Sequence, residues 1–394
     1  MLMTGTAIAL ILSAAVVGTF LLLALGTRPR LPFDVKSVPP ELFGAAQRRK
    51  AGGRGRTAVS ISGDMFLINR KQASHGRNWR GWRIEGLLLN ARLVQGMFDD
   101  LNPETRTKWA YPDNGKWDPD RNTSEFCEAM AGWSAHGLNA FTINLQGGMP
   151  RRDANEQPWH NSALAEDGSL RPAYMSRLER ILDRADELGM AVILGVFYFG
   201  QDARLRDEAA VRRGLDSAVG WVLDGGWRNV LIEVNNECDV RYTHRILQPD
   251  RVDELIQRAQ DRHRDGHRLL VSTSYGGGTI PGENVVKSAD FLLLHGNGVS
   301  DPGRIAEMVR QTREVRGYTE KPILFNEDDH YDIDKPRNNM TAAISEYAGW
   351  GFYDQGEGNY ADGFQSPPVN WRWDSSPRKR AFFGKVSEVT GGSA

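Results

Sequence analysis

Two cysteines in 394 residues cannot build the disulfide framework on which small exported domains rely. Cys127 and Cys238 allow one bridge at most, and Cys238 follows Glu237 at the end of an apolar run, where a buried, reduced thiol is expected. An excess of one charge is also lacking. The 49 Lys and Arg against 50 Asp and Glu leave a net charge of −1, without the basic surplus of a nucleic-acid partner. The 8 histidines are scattered, and Glu327-Asp328-Asp329-His330 lacks the H-E-x-x-H spacing that sets two imidazoles on one helix face, so no metal is expected and His330 reads as a loop residue. There is no P-loop, and no GxGxxG turn follows the first strand, so no nucleotide cofactor is expected. Ser274 has no G-x-S-x-G elbow around it, which argues against a serine hydrolase. Internal repeats and low-complexity tracts are missing too.

What is present is tryptophan, 11 in all. Core packing accounts for about half of such a set. Those in loops offer the flat apolar faces on which pyranose rings stack. The one long uncharged run is Ala7 to Leu25, 19 apolar or small residues, just enough to span a bilayer as a helix. It reads either as a signal peptide, with Ala24-Leu25-Gly26 as a cleavage site, or as a membrane anchor. Thr27 to Thr57 follows with eight Lys or Arg (Arg28, Arg30, Lys36, Arg48, Arg49, Lys50, Arg54, Arg56) and the pairs Pro39-Pro40 and Gly52-Gly53, the composition of a flexible basic linker. The expected organisation is residues 1–26 as signal or anchor, 27–57 as linker and 58–394 as the folded domain, in a membrane-anchored or exported protein. The side of the membrane stays open, although the basic linker favours the cytoplasm.

The remainder alternates short apolar runs with helical patterns. Ile61 to Gln72 reads as a hairpin. Eight candidate strands follow, ending at Asn90, Gln146, Tyr198, Glu237, Tyr275, Asn297, Glu327 and Asp354. Amphipathic helices lie between them, such as Tyr174 to Leu188 and Arg251 to Arg264. Such alternation means parallel strands joined by right-handed crossovers, and eight units in about 300 residues favour a closed (β/α)8 barrel in the α/β class.

In that barrel the active site lies at the carboxyl ends of the strands. Here those ends carry Asn90, Asn144 with Gln146, Tyr198, Asn235-Asn236-Glu237, Tyr275, His295, Asn326-Glu327 and Tyr353-Asp354. A rim of amides, phenols, an imidazole and carboxylates suits a polyhydroxylated ligand, so a carbohydrate is the expected partner. Cleaving a glycosidic bond takes two carboxyl groups across the sugar ring. Glu237 and Glu327 are the natural pair: each ends an apolar strand and each follows an asparagine.

With Asn236-Glu237 closing strand four and Asn326-Glu327 closing strand seven, residues 59–386 resemble the clan A, cellulase-like retaining glycosidases. The resemblance implies Glu237 as acid/base, Glu327 as nucleophile and Asn236 on the sugar 2-hydroxyl. It also implies a site role for His295 at the end of strand six and an aromatic closing the subsite at Tyr353. The chain departs from that pattern where strand four reads Asn-Glu-Cys rather than Asn-Glu-Pro, and where strand three ends in Phe197-Tyr198 rather than a histidine. The implied reaction is retaining hydrolysis of β-linked bonds, or transglycosylation by the same residues. A non-catalytic carbohydrate-binding barrel and a membrane-anchored scaffold are the readings it competes with. Among supporting residues, Trp373 and Trp159 read either as stacking platforms or as packed anchors, alongside Arg151 and Arg152 in the second long loop. Arg92 reads either as the nucleophile's counter-charge or as a salt bridge to Asp99 or Asp100. Glu233, four residues before Glu237, reads as part of a buried ion pair. Oligomeric state is not legible.

Overall fold

The computed structural model describes residues 53–150, 156–357 and 360–393. The expected signal or anchor, nearly all of the linker, and Arg151 and Arg152 fall outside them. Among the described residues no helix is long and apolar enough to cross a membrane.

The domain opens with β1 (Val59–Ser62), β2 (Met65–Ile68) and β3 (Lys71–Gln72), an antiparallel sheet with one strand more than the expected hairpin. A small second hairpin follows, β4 (Asn78–Trp79) with β5 (Trp82–Arg83). Eight strands then run parallel: β6 (Leu89–Arg92), β7 (Ala140–Asn144), β8 (Ala191–Tyr198), β9 (Val230–Asn236), β10 (Leu270–Ser272), β11 (Leu292–His295), β12 (Ile323–Glu327) and β13 (Trp350–Phe352). Six form one continuous sheet, in the order β10-β9-β8-β7-β6-β13, and β11 pairs with β12. Parallel bridges Leu324 to Gly349 and Asp328 to Phe352 join β12 to β13. Backbone bonds from Asp290 N to Val271 O (2.9 Å) and from Gly278 N to His295 O (2.9 Å) join β10 to β11. The ring closes as a (β/α)8 barrel.

The helices lie between the strands: α1 (Pro119–Ala135), α2 (Pro172–Leu188), α3 (Glu208–Gly225), α4 (Val252–Gln260), α5 (Glu283–Ser288), α6 (Pro302–Glu314), α7 (Asn339–Ser345) and α8 (Pro377–Thr390). Four of them begin with proline, whose missing N–H costs nothing in a first turn. Asp118, Asp301 and Ser376 cap three of these starts through side-chain oxygens. α2 buries Leu178, Ile181, Leu182 and Ala185, one helical face, and stops at Gly189 in the left-handed region. α4 ends at Gln260, short of the expected Arg264, because Arg264 and His267 pair across a tight turn.

Inside the ring, alternate residues of each strand face inward, and their character changes with height. At the amino-terminal end Leu88, Ala140, Ala191, Ile193, Leu231, Phe291, Leu293 and Leu324 form an apolar layer, onto which Val59, Phe66 and Ala73 of the N-terminal sheet pack as a plug. Phe66 meets Phe291 edge to face at 5.7 Å. One or two inward positions further on stand Asn90, Arg92, Thr142, Asn144, Glu233, His295 and Asn326, all buried. Order also starts earlier than expected. Arg54 bonds Asp183 at 2.6 Å and lies 4.2 Å from the centroid of Trp227, and Thr57 N donates to Asp186 at 2.8 Å, so the last residues of the expected linker belong to the domain.

Candidate active site

β9 delivers its polar end residues to the carboxyl mouth of the barrel, and the next residue, Glu237, turns into the left-handed region with φ +52°. Few non-glycine residues adopt that conformation, and it persists where neighbours hold it. Here Glu237 N donates to Ser274 Oγ at 3.0 Å, and Cys238 N donates to Ser274 O at 2.8 Å. Glu327 ends β12, and His295, which ends β11, pairs with it in register across a local shift.

The three side chains meet. His295 Nδ1 is 2.9 Å from Glu237 Oε1 and 3.6 Å from Glu327 Oε2, and a carboxylate oxygen of each glutamate lies within 4.8 Å of one of the other. Arg92 Nε lies 2.8 Å from Glu327 Oε2, and Asn297 Nδ2 donates to Glu327 Oε1 at 2.7 Å. His295 is fully enclosed, whereas the Glu237 and Glu327 side chains keep 13% and 6% of their exposure, so a ligand at the mouth reaches both carboxylates.

Burial works against charge on His295, but Glu327, the hydrogen bond to Glu237 and the Glu233 carboxylate outweigh it and raise the imidazole above its ordinary value. Burial likewise raises the Glu327 carboxyl, opposed by Arg92, His295 and the Asn297 amide, which favour the ionised form. Tyr198 stands among Arg92, Tyr353 and the two glutamates, and burial lifts its phenol well above the usual range, leaving a neutral hydroxyl. Asp328, next to the nucleophile candidate, is raised to about 7 by burial while Trp350, Asn339 and His330 N donate to it.

Glu237, His295 and Glu327 also offer metal-ligand atoms at close range. His295 Nδ1 is engaged by Glu237, however, and the Arg92 guanidinium holds the place beside Glu327. Side-chain contacts and the Arg92 cation therefore already occupy these ligand atoms.

Of the residues read from the sequence, the structure thus gathers Glu237, Glu327, His295, Arg92, Tyr198 and Tyr353; the Arg92 guanidinium carbon is 5.9 Å from the Tyr353 ring centroid. Arg92 is the last residue of β6, not a residue beyond it, and its partner is Glu327; Asp99 is engaged by Arg106 at 3.3 Å. Asn236 is buried, with Oδ1 lacking a hydrogen-bond partner among the described residues. Asn144 is buried opposite Gly195, where a Cβ would stand 2.2 Å from its Oδ1. Gln146 is committed to structure: its Nε2 donates to Ser162 Oγ at 3.0 Å and its Oε1 accepts from Tyr198 N at 3.4 Å, which ties the second loop to β8. Trp373 stands apart from the cluster, on the helical layer, where its ring centroid is 4.2 Å from that of His136 and its edge covers Gly132. It is a packed anchor. Trp159 is another, buried with Phe98 and Trp109.

One participant, Asn297, escapes the sequence reading, and a second, Glu233, has a different partner from the ion pair expected of it. Asn297 follows His295 by two residues, the spacing that returns a side chain to the same face of an extended segment, and that spacing was the available signal. Glu233 has no Lys or Arg within ion-pair distance among the described residues; its nearest cation is His295, with Nε2 4.0 Å from Glu233 Oε1.

No protein-family model matches the chain, and no curated protein matches it. Solved structures do. A glycoside hydrolase family 5 protein from Bacteroides vulgatus is 13% identical at TM-score 0.51, over 80% of this chain and 68% of that one. A β-1,4-D-mannanase from Cryptopygus antarcticus is 11% identical at TM-score 0.51, over 85% and 97%. Another Bacteroides vulgatus protein is 15% identical at TM-score 0.48, over 82% of this chain, which spans only 60% of its length. At these identities the first two likenesses show a shared barrel fold.

Proposed function

We propose that the protein is a retaining glycoside hydrolase acting on β-linked bonds of an oligo- or polysaccharide, with Glu237 as acid/base and Glu327 as nucleophile. One observation carries the reading: two carboxylates from strands four and seven of the barrel converge within 4.8 Å at its carboxyl mouth, with an imidazole between them. Retaining enzymes hold their carboxyl groups about 5 to 5.5 Å apart, whereas inverting ones leave about 6.5 to 9.5 Å for a water. Nearest oxygens within 4.8 Å of each other favour the retaining arrangement. The glycoside hydrolase and β-mannanase names of the similar folds support the same class and the same bond.

In the first step Glu237 gives its proton to the glycosidic oxygen as Glu327 attacks the anomeric carbon; the aglycone leaves and a glycosyl ester forms on Glu327. In the second, Glu237 takes a proton from water, whose oxygen attacks the same carbon and releases Glu327. A sugar hydroxyl in place of water gives transglycosylation. Arg92 and Asn297 hold the Glu327 oxygens, stabilise its charge and orient it. The bare acceptor Asn236 Oδ1 suits a sugar hydroxyl. The uncharged run Ala7 to Leu25 supports a membrane-anchored or exported enzyme.

The test is an oligosaccharide panel with NMR of the first anomer formed. Glu327→Ala is expected to lower kcat on the order of 10⁴-fold. Glu237→Ala keeps partial activity on substrates with good leaving groups and recovers with azide. Inversion at the anomeric carbon, or equal behaviour of the two variants, overturns the assignment, and binding without turnover marks a carbohydrate-binding barrel.

A further inference from the structure

Glu233 is fully buried beneath the mouth, four residues or two strand periods before Glu237. Its Oε1 accepts from Ser274 Oγ at 2.6 Å and from Asn326 Nδ2 at 3.3 Å, and lies 4.0 Å from His295 Nε2. Each of these partners is one step from a candidate catalytic group. Because the Ser274 hydroxyl spends its only proton on Glu233, its lone pairs are turned to the Glu237 N–H, which donates to it at 3.0 Å. That bond restrains Glu237 in its unfavourable left-handed backbone. Asn326 precedes Glu327 in the chain. His295 Nε2 is buried and has no hydrogen-bond partner among the described residues, so the Glu233 charge is what compensates a proton there.

We propose that Glu233 is a positioning residue: through Ser274 it sets the backbone of Glu237, and through its charge it keeps His295 protonated on both nitrogens so that Nδ1–H always faces Glu237. The assignment of Glu237 and Glu327 as the reacting groups rests on the hydrolase reading; the placement of Glu233 does not. The groups facing His295 are Glu233 of β9, Glu237 just past its end and Glu327 of β12, with Arg92 of β6 behind Glu327. Three acids and one guanidinium therefore surround it. Removing the Glu233 charge leaves Glu237 and Glu327 facing the imidazole, the latter already paired with Arg92.

The experiment follows the His295 ring nitrogens by NMR across pH, in wild type, Glu233→Gln, Glu233→Asp and Ser274→Ala, and measures kcat and KM on the substrate found above. Glu233→Gln keeps an acceptor for Ser274 and loses the charge. It is expected to lower the His295 titration by about one pH unit, tenfold in proton affinity, and kcat about tenfold at nearly constant KM. Glu233→Asp restores most of the titration. Ser274→Ala lowers kcat while His295 titrates as in wild type. An unchanged His295 titration in Glu233→Gln overturns the proposal even if the protein is a competent hydrolase. A shifted titration in a protein that cleaves nothing upholds the placement and sinks the hydrolase reading. Should Glu233→Gln not fold, Glu233→Asp and Ser274→Ala decide: a titration moved equally by both means that the two residues act as ordinary packing, against the proposal.

Discussion

The two ends of the barrel are built from the same strands and have opposite chemistry. At the amino end the inward positions are Leu, Ile, Ala and Phe, plugged by Phe66 from a sheet outside the barrel. Two to four residues along, about 7 to 13 Å at a strand's rise, the same rows carry Arg92, Asn144, Glu233, His295 and Asn326. The lower layer gains free energy from burial and tolerates no hole. The upper layer sinks charges and amides where several buried atoms have no hydrogen-bond partner among the described residues, including Asn144 Oδ1, Asn236 Oδ1, Asn326 Oδ1 and His295 Nε2. The apolar plug lies below and the polar cluster above, and the strand period of two residues is enough to separate them.

Substitutions that cut one end and spare the other break or sharpen that division. The largest stability effect is expected at the plug: Phe66→Ala should cost about 3 to 5 kcal/mol in chemical denaturation, with kcat/KM per folded molecule unchanged. A fall in specific activity would mean that the two ends are coupled. Asn297→Ala should do the reverse. It removes a hydrogen bond to a carboxylate, about 1.5 to 3 kcal/mol of interaction, read as a drop of roughly 10- to 100-fold in kcat with the melting temperature nearly unmoved. The upper layer should also carry the pH dependence of stability. His295 is raised above its unfolded value, so its contribution is complete below about pH 6.5 and is lost as the pH rises through the folded value. The stability difference between wild type and His295→Gln is therefore expected to be largest in acid and to shrink on going alkaline; a constant difference contradicts a protonated imidazole. The smallest effect belongs to Trp373→Ala: turnover within about twofold of wild type and a modest loss of stability, because its ring covers Gly132 and His136. A large rise in KM would return Trp373 to the substrate.

Much of this was legible because strand ends advertise themselves. Asn-Glu after an apolar run located Glu237 and Glu327, and parallel pairing brought them together. What was hidden depends on closure. Arg92 could be given two partners from its neighbourhood in sequence, and only the ring, which sets β6 near β12, selects Glu327 over Asp99. Gln146 has the composition of a binding residue, but its amide is used up by Ser162 and Tyr198 N. A tryptophan in a loop carries no mark of which side it faces: Trp159 went into a buried aromatic cluster, and Trp373 lies half-buried against His136. The plug was under-read because β3 is two residues long, shorter than any periodicity can show.

The ring itself has a seam. Six strands form one hydrogen-bonded sheet and β11 with β12 form another; isolated bridges join β12 to β13, and at the other boundary, between β10 and β11, isolated backbone bonds replace a ladder. Glu237 stands on one bank of that boundary and Glu327 on the other, and the 2.9 Å contact from His295 to Glu237 is thrown across it like a rivet. Opening at that boundary would draw the two carboxylates apart, so the width of the gap between them and the tightness of the cylinder are one mechanical quantity.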